Sequence, residues 1–210
     1  MKIMLTGATG FIGKSLVFEL LQQNFNVSIA VRQKTNLFPC KVKQFVVGDF
    51  GDNPDFSASL AKVDCVIHLA GRAHVIDKIK TSELNGFRNI NRDLTLHLAK
   101  QAIDSGVKRF LFLSSIRVNG NQNNKPFLET DTPNPQESYA ISKYEAEQDL
   151  MRLSQDTGLE VAIIRPPLVY GYGAPGNFGR LVKWVGAKLI LPLPLGSVKN
   201  ARSLIAIDNL

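Results

Sequence analysis

The chain has 210 residues and a formal net charge of +7, with 44% hydrophobic and 20% charged residues. Such values are ordinary for a globular protein, and they exclude a disordered, collagenous or coiled-coil chain. The length corresponds to one domain and part of a second. The positive balance favours anionic partners such as nucleotides, sugar phosphates or nucleic acid, without choosing among them.

The cysteines and the apolar runs indicate the cellular compartment of the protein. The two cysteines, Cys40 and Cys65, have no metal-ligand spacing around them, which is typical of structural thiols in a reducing compartment. The apolar start of the chain meets Gly7 too soon for a signal-peptide core, and no apolar run reaches the ~20 residues of a membrane span. We expect a cytoplasmic protein with no membrane segment and no metal site.

Short β-branched runs alternate with longer helical patterns along the chain. We predict six strands, at 2–6, 27–31, 42–47, 64–69, 108–114 and 160–165. Helical patterns follow the first strand and return at 84–105 and 136–157, ending at Gly106 and Gly158. The first of these two long stretches carries its core residues on one face: Leu84, Phe87, Asn91, Leu94, Leu98 and Ala102. The alternation predicts an α/β fold with a mostly parallel sheet.

Two segments fall outside this alternation. Residues 119–135 are polar and contain proline, so we predict a long loop, a kind of segment that is often functional. After Arg165, glycines and prolines become frequent, which predicts a lobe of loops and short helices outside the sheet. The expected division is therefore 1–165 and 166–210.

A glycine-rich loop follows the first strand and opens the first helix, with Gly7, Gly10 and Gly13 at intervals of three. Glycines there permit a tight turn and let the backbone approach a pyrophosphate at the helix N-terminus, which predicts dinucleotide binding. A phosphate-binding loop of an NTPase is the alternative, because Gly13 precedes Lys14 and a serine. That pattern needs a glycine where this chain has Ala8, so an NTPase is the minor interpretation.

The end of the second strand bears on the choice of cofactor. Sites for NAD usually place a carboxylate there, against the ribose 2′-hydroxyl, whereas an arginine accommodates a 2′-phosphate. Here the strand ends at Arg32 with no carboxylate beside it, which favours NADP over NAD. Asp49, after the third strand, is a candidate for the adenine end of the cofactor, although a turn-capping role is equally ordinary.

Tyr139 and Lys143 are four residues apart on one helical face, after the long loop. Ser114 and Ser115 end the fifth strand, at the edge where parallel sheets bind ligands. A tyrosine has a pKa near ~10, and a neighbouring ammonium favours its phenolate. A serine hydroxyl can hold the substrate oxygen for proton transfer. The set suits proton-coupled hydride transfer.

Taken in order along the whole chain, these motifs resemble the extended short-chain dehydrogenase/reductases, and within them the nucleotide-sugar epimerase/dehydratase group. The segments that carry the resemblance are 6–13, 68–70, 114–120, 139–143 and 165–171. The resemblance is greatest to UDP-glucose 4-epimerase-like proteins and to 4-ketoreductases of polysaccharide synthesis. It implies a Rossmann-type, doubly wound parallel sheet followed by a small substrate lobe, which we expect to be incomplete in 166–210.

The resemblance also implies roles for individual residues. Ser115, Tyr139 and Lys143 correspond to the catalytic serine, tyrosine and lysine, and the lysine also binds the nicotinamide ribose. The expected cofactor-binding residues lie in the glycine loop and at the ends of the strands: Gly7, Gly10, Phe11, Ile12, Gly13, Arg32, Asp49, Leu69, Ala70, Gly71, Lys143 and Pro166. The sugar nucleotide is expected to contact Ser115, Asn177 and Arg202. Homodimers in this family often form through the helices at 84–105 and 136–157.

Two positions depart from the family pattern. Asn119 stands where an aromatic residue is usual, which removes a ring expected near the sugar. Arg32 replaces the acidic residue of NAD-dependent epimerases. An exchangeable NADP suits net reduction, so the second departure favours a 4-ketoreductase over a 4-epimerase and leaves both open. Asn91 corresponds to a helix asparagine that supports the site.

The expected function is thus NAD(P)-dependent hydride transfer at C4 of a UDP-hexose. The alternative from another class is a regulatory protein on the same fold that senses NADP without turnover. Such a protein has no need of Ser115, Tyr139 and Lys143. The net charge is the only support for a nucleic-acid partner, since no basic cluster is interleaved with aromatic residues.

Overall fold

All six predicted strands are present and pair in one parallel sheet. The computed structural model describes residues 1–73, 81–176, 179, 180, 184, 186 and 201–210. The strands are β1 (Lys2–Thr6), β2 (Asn26–Val31), β3 (Lys43–Val46), β4 (Cys65–His68), β5 (Arg109–Leu113) and β6 (Glu160–Ile164). Their spatial order is β3-β2-β1-β4-β5-β6, so the strand order reverses at β1. This order is the Rossmann-type arrangement that the sequence predicts.

The helices cover both faces of the sheet. They are α1 (Phe11–Gln22), α2 (Ser57–Leu60), α3 (Thr81–Arg88), α4 (Leu94–Asp104) and α5 (Ser138–Thr157). Gly106 and Gly158 follow α4 and α5 with φ of 75° and 76°, the left-handed conformation of a helix C-terminus. No helix in the described ranges is long and apolar enough to span a bilayer.

Each face of the sheet has its own apolar core. On one face Phe110 packs among Leu98 of α4 and Leu150 of α5, all of them fully buried. On the other face Leu5 packs with Val17 of α1. Because the strands are buried on both faces, their sequences are nearly continuous apolar runs, which is why they can be recognised without alternation.

The amphipathic stretch predicted as one helix is interrupted. Between α3 and α4 lies a π-helical turn, Asn89–Asp93, with Asn91 buried at its centre. The buried face runs through all three segments, since Phe87, Leu94 and Leu98 are buried as the periodicity predicts. A π-helical turn carries an extra residue in the helix and is frequent at functional sites.

The chain packs as two units, Met1–Arg165 and Pro166–Leu210. The second unit contains two short parallel strands, β7 (Leu168–Tyr170) and β8 (Leu204–Ala206), followed by a 3₁₀ turn at Ile207–Asn209. The expectation of loops and short helices alone was therefore wrong for this unit. Strands of three residues between glycines and prolines are too short to show a period of two. In the first unit, residues 119–137 contain no helix or strand, as expected for the long loop.

Candidate active site

The glycine loop is held by backbone contacts that exclude side chains at two positions. Gly7 has φ of 70°, and a Cβ there would lie 2.5 Å from the backbone nitrogen of Ala70. A Cβ at Gly13 would lie 2.3 Å from the carbonyl oxygen of Gly7. Both distances are far below contact range, so the loop, α1 and the segment after β4 approach each other only because these residues are glycine.

The start of α1 is open on its outer side. Gly10 is the N-cap, has extended backbone and is exposed, and Phe11 and Ile12 follow half-buried. No side chain caps the helix, and its first turn contains no acidic residue. The free N–H groups and the positive end of the helix dipole are therefore available to an anion. These residues fit the pyrophosphate of a dinucleotide.

Arg32 and Asp49 lie at the same edge of the sheet, because the backbone N–H of Val47 donates to the carbonyl of Val31 (3.0 Å). Arg32 is exposed and follows β2 directly. The Asp49 carboxylate accepts a hydrogen bond from the backbone N–H of Gly51 (2.8 Å), which is the turn-capping arrangement. Within the described ranges neither side chain is hydrogen-bonded or ion-paired to another of the expected site residues.

Leu69, Ala70 and Gly71 extend β4 toward the site. The backbone N–H of Ala70 donates to Thr6 Oγ1 (3.3 Å), at the end of β1. A Cβ on Gly71 would lie 3.2 Å from Lys143 Nζ. This contact brings the segment after β4 against the lysine, and a larger residue at 71 would press on the ammonium group.

Tyr139 lies in the first turn of α5. Ser115 lies two residues after β5 and caps a 3₁₀ turn by accepting from the N–H of Arg117 (3.3 Å). Burial raises the pKa of the Tyr139 hydroxyl, while a hydrogen bond with Ser115 and the charge of Arg117 lower it. Of the two candidate serines, Ser115 is the one that lowers the pKa of the tyrosine. Ser114 is buried, and its hydroxyl has no partner in the described part of the chain.

Lys143 is buried one turn further along α5. Its ammonium donates to the carbonyl of Leu113 (2.9 Å) and lies 4.4 Å from the centre of the Phe112 ring. Burial lowers the pKa of Lys143 to about 7, and the charge of Glu147 opposes the shift. In the described structure Ser115 and Arg117 are the groups that lower the pKa of Tyr139, and the effect expected from Lys143 together with a bound nicotinamide stays a prediction.

Asn91 connects three parts of the site from the π-helical turn. Its side chain accepts from the backbone N–H of Arg72 (2.8 Å) and donates to the Arg72 carbonyl (3.1 Å). Its amide also donates to Ser142 Oγ (3.0 Å), and that hydroxyl donates to the carbonyl of Tyr139 (2.8 Å). The sequence shows Asn91 as a polar residue on an apolar face, but its partners follow only from the tertiary structure.

His68, the last residue of β4, forms a buried chain of hydrogen bonds. Its Nδ1 is 2.6 Å from Thr6 Oγ1, and its Nε2 is 2.9 Å from Thr95 Oγ1. The Thr95 hydroxyl donates to the carbonyl of Asn91 (2.8 Å), so Nε2 carries the imidazole proton and Nδ1 accepts from Thr6. Burial, with the charge of Lys143, lowers the pKa of His68 to about 3, and the ring is neutral at pH 7. The chain ties the end of β1 to the π-helical turn.

Asn119 lies in a second buried cluster. Its Oδ1 accepts from Arg165 Nη1 (3.0 Å), and Arg165 forms an ion pair with the buried Glu147 (2.5 Å). A cavity of about 610 Å³ beside this cluster is lined by Asn119, Glu147 and Arg165 and by none of Ser115, Tyr139 and Lys143. Asn119, which stands where the family has an aromatic residue near the sugar, thus contacts Arg165 in the described structure.

Three expected site residues belong to the second unit. Pro166 is buried at its start, and Arg202 is exposed just before β8. Asn177 lies outside the described residues. No group of three or more metal-ligating side chains occurs in the part of the chain that the structure describes.

Comparison with known proteins agrees with this arrangement. The NAD dependent epimerase/dehydratase family matches residues 3–210. The chain is 45% identical over 212 residues to a UDP-glucose 4-epimerase of Vibrio cholerae, covering 99% of this chain and 63% of that protein. It therefore spans less than two thirds of that relative's length.

Solved structures show the same fold. A UDP-glucose 4-epimerase with UDP-glucose from Thermotoga maritima superimposes with a TM-score of 0.79 at 26% identity, covering 99% of this chain and 70% of that one. A UDP-glucuronic acid 4-epimerase from Bacillus cereus, solved with NAD and a fluorinated substrate analogue, gives a TM-score of 0.83 at 23% identity, with 99% and 70% covered. The chain belongs to the NAD dependent epimerase/dehydratase family.

Proposed function

We propose that the protein carries out NAD(P)-dependent hydride transfer at C4 of a nucleotide sugar, as a 4-epimerase or a 4-ketoreductase. The observation that carries the proposal is the position of Tyr139 beside Ser115, which lowers the pKa of the tyrosine hydroxyl, at the edge of the sheet where the glycine loop and Gly71 also lie. The identity to a UDP-glucose 4-epimerase supports a UDP-hexose as the substrate class.

Tyr139 is the proposed acid and base. In the oxidising direction its oxygen takes the proton of the C4 hydroxyl as the hydride leaves C4, and in the reducing direction it returns a proton to the C4 carbonyl oxygen. Bound NAD(P) supplies the hydride acceptor or donor. Because burial raises the pKa of the Tyr139 hydroxyl against the opposing effects of Ser115 and Arg117, the protonated form, which is the proton donor, prevails.

Ser115 and Lys143 assist in different ways. The Ser115 hydroxyl, fixed at the start of a 3₁₀ turn, holds the substrate oxygen within hydrogen-bond reach of Tyr139. Lys143, seated against Gly71, holds the nicotinamide ribose and can release a proton near neutral pH, because burial lowers its pKa to about 7. Asn177 and Arg202 are the proposed contacts for the nucleotide of the substrate.

The cofactor is held in this proposal by the glycine loop, the segment after β4 and the ends of β2 and β3. Gly10, Phe11 and Ile12 would hold the pyrophosphate, because the helix start there is uncapped. Arg32 is the residue that would select NADP, through the 2′-phosphate. Leu69, Ala70, Asp49 and Pro166 complete the proposed contacts.

The test replaces Tyr139 by phenylalanine. We expect turnover of a UDP-hexose or of its 4-keto form to fall by about 10³-fold or more, while NAD(P) binding and the unfolding midpoint change little. Tyr144→Phe is the matched control, since this tyrosine lies one position past Lys143 and its hydroxyl accepts from Gln148 (3.2 Å).

Steady-state rates with each UDP-sugar, followed both at the nicotinamide absorbance band and by separation of C4 epimers, distinguish the two reactions. An epimerase interconverts the sugars without net change in the cofactor, and a ketoreductase consumes NAD(P)H. Undiminished turnover in Tyr139→Phe would rule out the proposed mechanism.

A further inference from the structure

Arg72 has a rigidly fixed backbone beside the candidate site. It directly follows Gly71, against which Lys143 lies. The Asn91 side chain hydrogen-bonds to both its N–H (2.8 Å) and its carbonyl (3.1 Å). Such a two-point contact fixes the direction in which the Arg72 side chain leaves the backbone.

The guanidinium group of Arg72 lies in a seat that is formed by Phe87 and Gly86. It lies over the ring of the buried Phe87, with Cζ 5.2 Å from the ring centre. A Cβ on Gly86 would lie 2.9 Å from Arg72 Nη1, so the absence of a side chain at 86 leaves room for the guanidinium. Glycine within a helix is unfavourable, and Gly86 lies inside α3. Gly86 thus lowers the stability of α3 at the position where the guanidinium group of Arg72 lies.

Two routes connect this seat to Tyr139. The ring of Phe87 meets the ring of Tyr139 edge-on, with centres 6.2 Å apart. Asn91, which holds the Arg72 backbone, is joined through Ser142 to the carbonyl of Tyr139. The position of the arginine is therefore coupled to that of the proposed acid and base.

Arg72 is exposed, and none of the ion pairs formed among the described residues includes it. By contrast Arg88 at the end of α3 and Arg92 in the π-helical turn pair with Glu145 and Asp149 of α5. Arg72 is thus held at its backbone and lies on a ring, and it pairs with no carboxylate in the described ranges. Its guanidinium N–H groups can face a ligand.

We propose that Arg72 determines substrate specificity by donating hydrogen bonds to a planar oxygen acceptor, either a carboxylate or an acetamido carbonyl, on the sugar whose C4 reacts at Tyr139. This inference rests on the proposed function and names the class of sugar. The paired N–H groups of the planar guanidinium match the two oxygens of a carboxylate, and a single N–H can donate to the carbonyl oxygen of an acetamido group.

The experiment compares UDP-glucose, UDP-N-acetylglucosamine and UDP-glucuronate with Arg72→Gln. We expect kcat/KM to fall by at least about tenfold for one of the two substituted sugars and by less than about twofold for UDP-glucose. Which substituted sugar is affected identifies the acceptor. NAD(P) affinity, measured separately, stays unchanged.

Two further variants separate specificity from folding. Gly86→Ala keeps Arg72 but puts a methyl group into the guanidinium seat, so we expect the same loss of discrimination, smaller in size. Arg152→Gln removes an exposed arginine whose partner is Asp149 (3.3 Å) on the far part of α5, and it should leave the discrimination between sugars intact.

Equal losses for all three sugars, loss of NAD(P) affinity, or no loss at all would each overturn the inference. Calorimetry measures the binding of the three UDP-sugars independently of turnover. It therefore distinguishes a failure of the inference on Arg72 from a failure of the proposed function. A protein that converts none of them but binds a substituted sugar in an Arg72-dependent manner would overturn the proposed reaction and support Arg72 as the specificity residue.

Discussion

The glycine loop and the tyrosine face of the same sheet edge are built in opposite ways. The glycine loop, 6–13, uses backbone groups and the absence of side chains, as the distances around Gly7 and Gly13 show. The tyrosine face, comprising Ser115, Tyr139, Lys143 and Asn91, uses side chains that are buried or half-buried and hydrogen-bonded across three elements.

The two kinds of site are therefore disrupted by different substitutions. A site made of backbone is lost when a methyl group is added, because there is no room for it. A site made of buried polar groups tolerates changes in volume better than the loss of a partner, since an unpaired buried group costs free energy.

The largest effect on stability is expected at the glycine loop. Alanine suits a helix better than glycine by about 1 kcal/mol, but a Cβ at Gly13 would lie 2.3 Å from the carbonyl oxygen of Gly7. The clash outweighs the gain, so we expect Gly13→Ala to lower the free energy of unfolding by about 3 kcal/mol. Chemical denaturation measures it.

Gly10→Ala is the matched comparison, because a Cβ there would meet only the Gly7 carbonyl, at 3.2 Å. We expect it to change stability by less than about 1 kcal/mol while weakening dinucleotide binding. Equal destabilisation by both variants would contradict the distinction between a packing glycine and a ligand-facing one.

The next effect concerns the buried chain through His68. Its pKa is about 3 in the folded protein against an ordinary value of 6.5, so the unfolded chain binds the proton more tightly. The stabilisation is fully present above pH 6.5 and is lost progressively as the pH falls toward 3. Between pH 7 and 5 we expect a loss of about 2 kcal/mol from this group.

Denaturation of His68→Asn across the same pH range tests the assignment, since the pH-dependent loss from this residue should disappear. His97→Asn is the control and should retain the full slope, because His97 lies outside the chain and contacts the carbonyl of Pro54. A variant at 68 with the slope of the parent would contradict the link to His68.

The smallest effect is expected at Arg32, where the sequence gives a preference for NADP. Arg32→Ala should weaken NADPH binding by about tenfold and leave NADH within about twofold, because only the 2′-phosphate loses its cation. Lys34→Ala, in the same exposed segment, should change neither affinity by as much. Fluorescence titration of both cofactors decides it, and an unchanged affinity ratio would exclude Arg32 as the selecting residue.

The same contrast explains what could be predicted from the sequence. The six strands and the glycine loop are local signals, carried by apolar runs and by glycines at fixed spacing. The spacing of Tyr139 and Lys143 is local too. The seat of Arg72 is not, because Asn91, Gly86 and Phe87 meet it only after α3 and the π-helical turn pack beside β4.

Electrostatics was the least predictable part. From spacing alone, Lys143 is the expected partner of Tyr139. In the fold the lysine donates instead to the carbonyl of Leu113, and burial raises the pKa of the tyrosine despite Ser115 and Arg117. Desolvation depends on how deeply a group is buried in the folded protein, and the spacing of residues in the sequence does not contain that information.

The π-helical turn at Asn89–Asp93 gives the site an unusual dependence on chain length. A helix turns by ~100° per residue, so deleting one residue here would restore a continuous α-helix while rotating everything before it by that angle. The apolar stripe of α4 would remain in register with the core, but Gly86 and Phe87 would swing away from Arg72. Deletion of one residue would thus leave a helix that still packs against the sheet but no longer places Gly86 and Phe87 against Arg72.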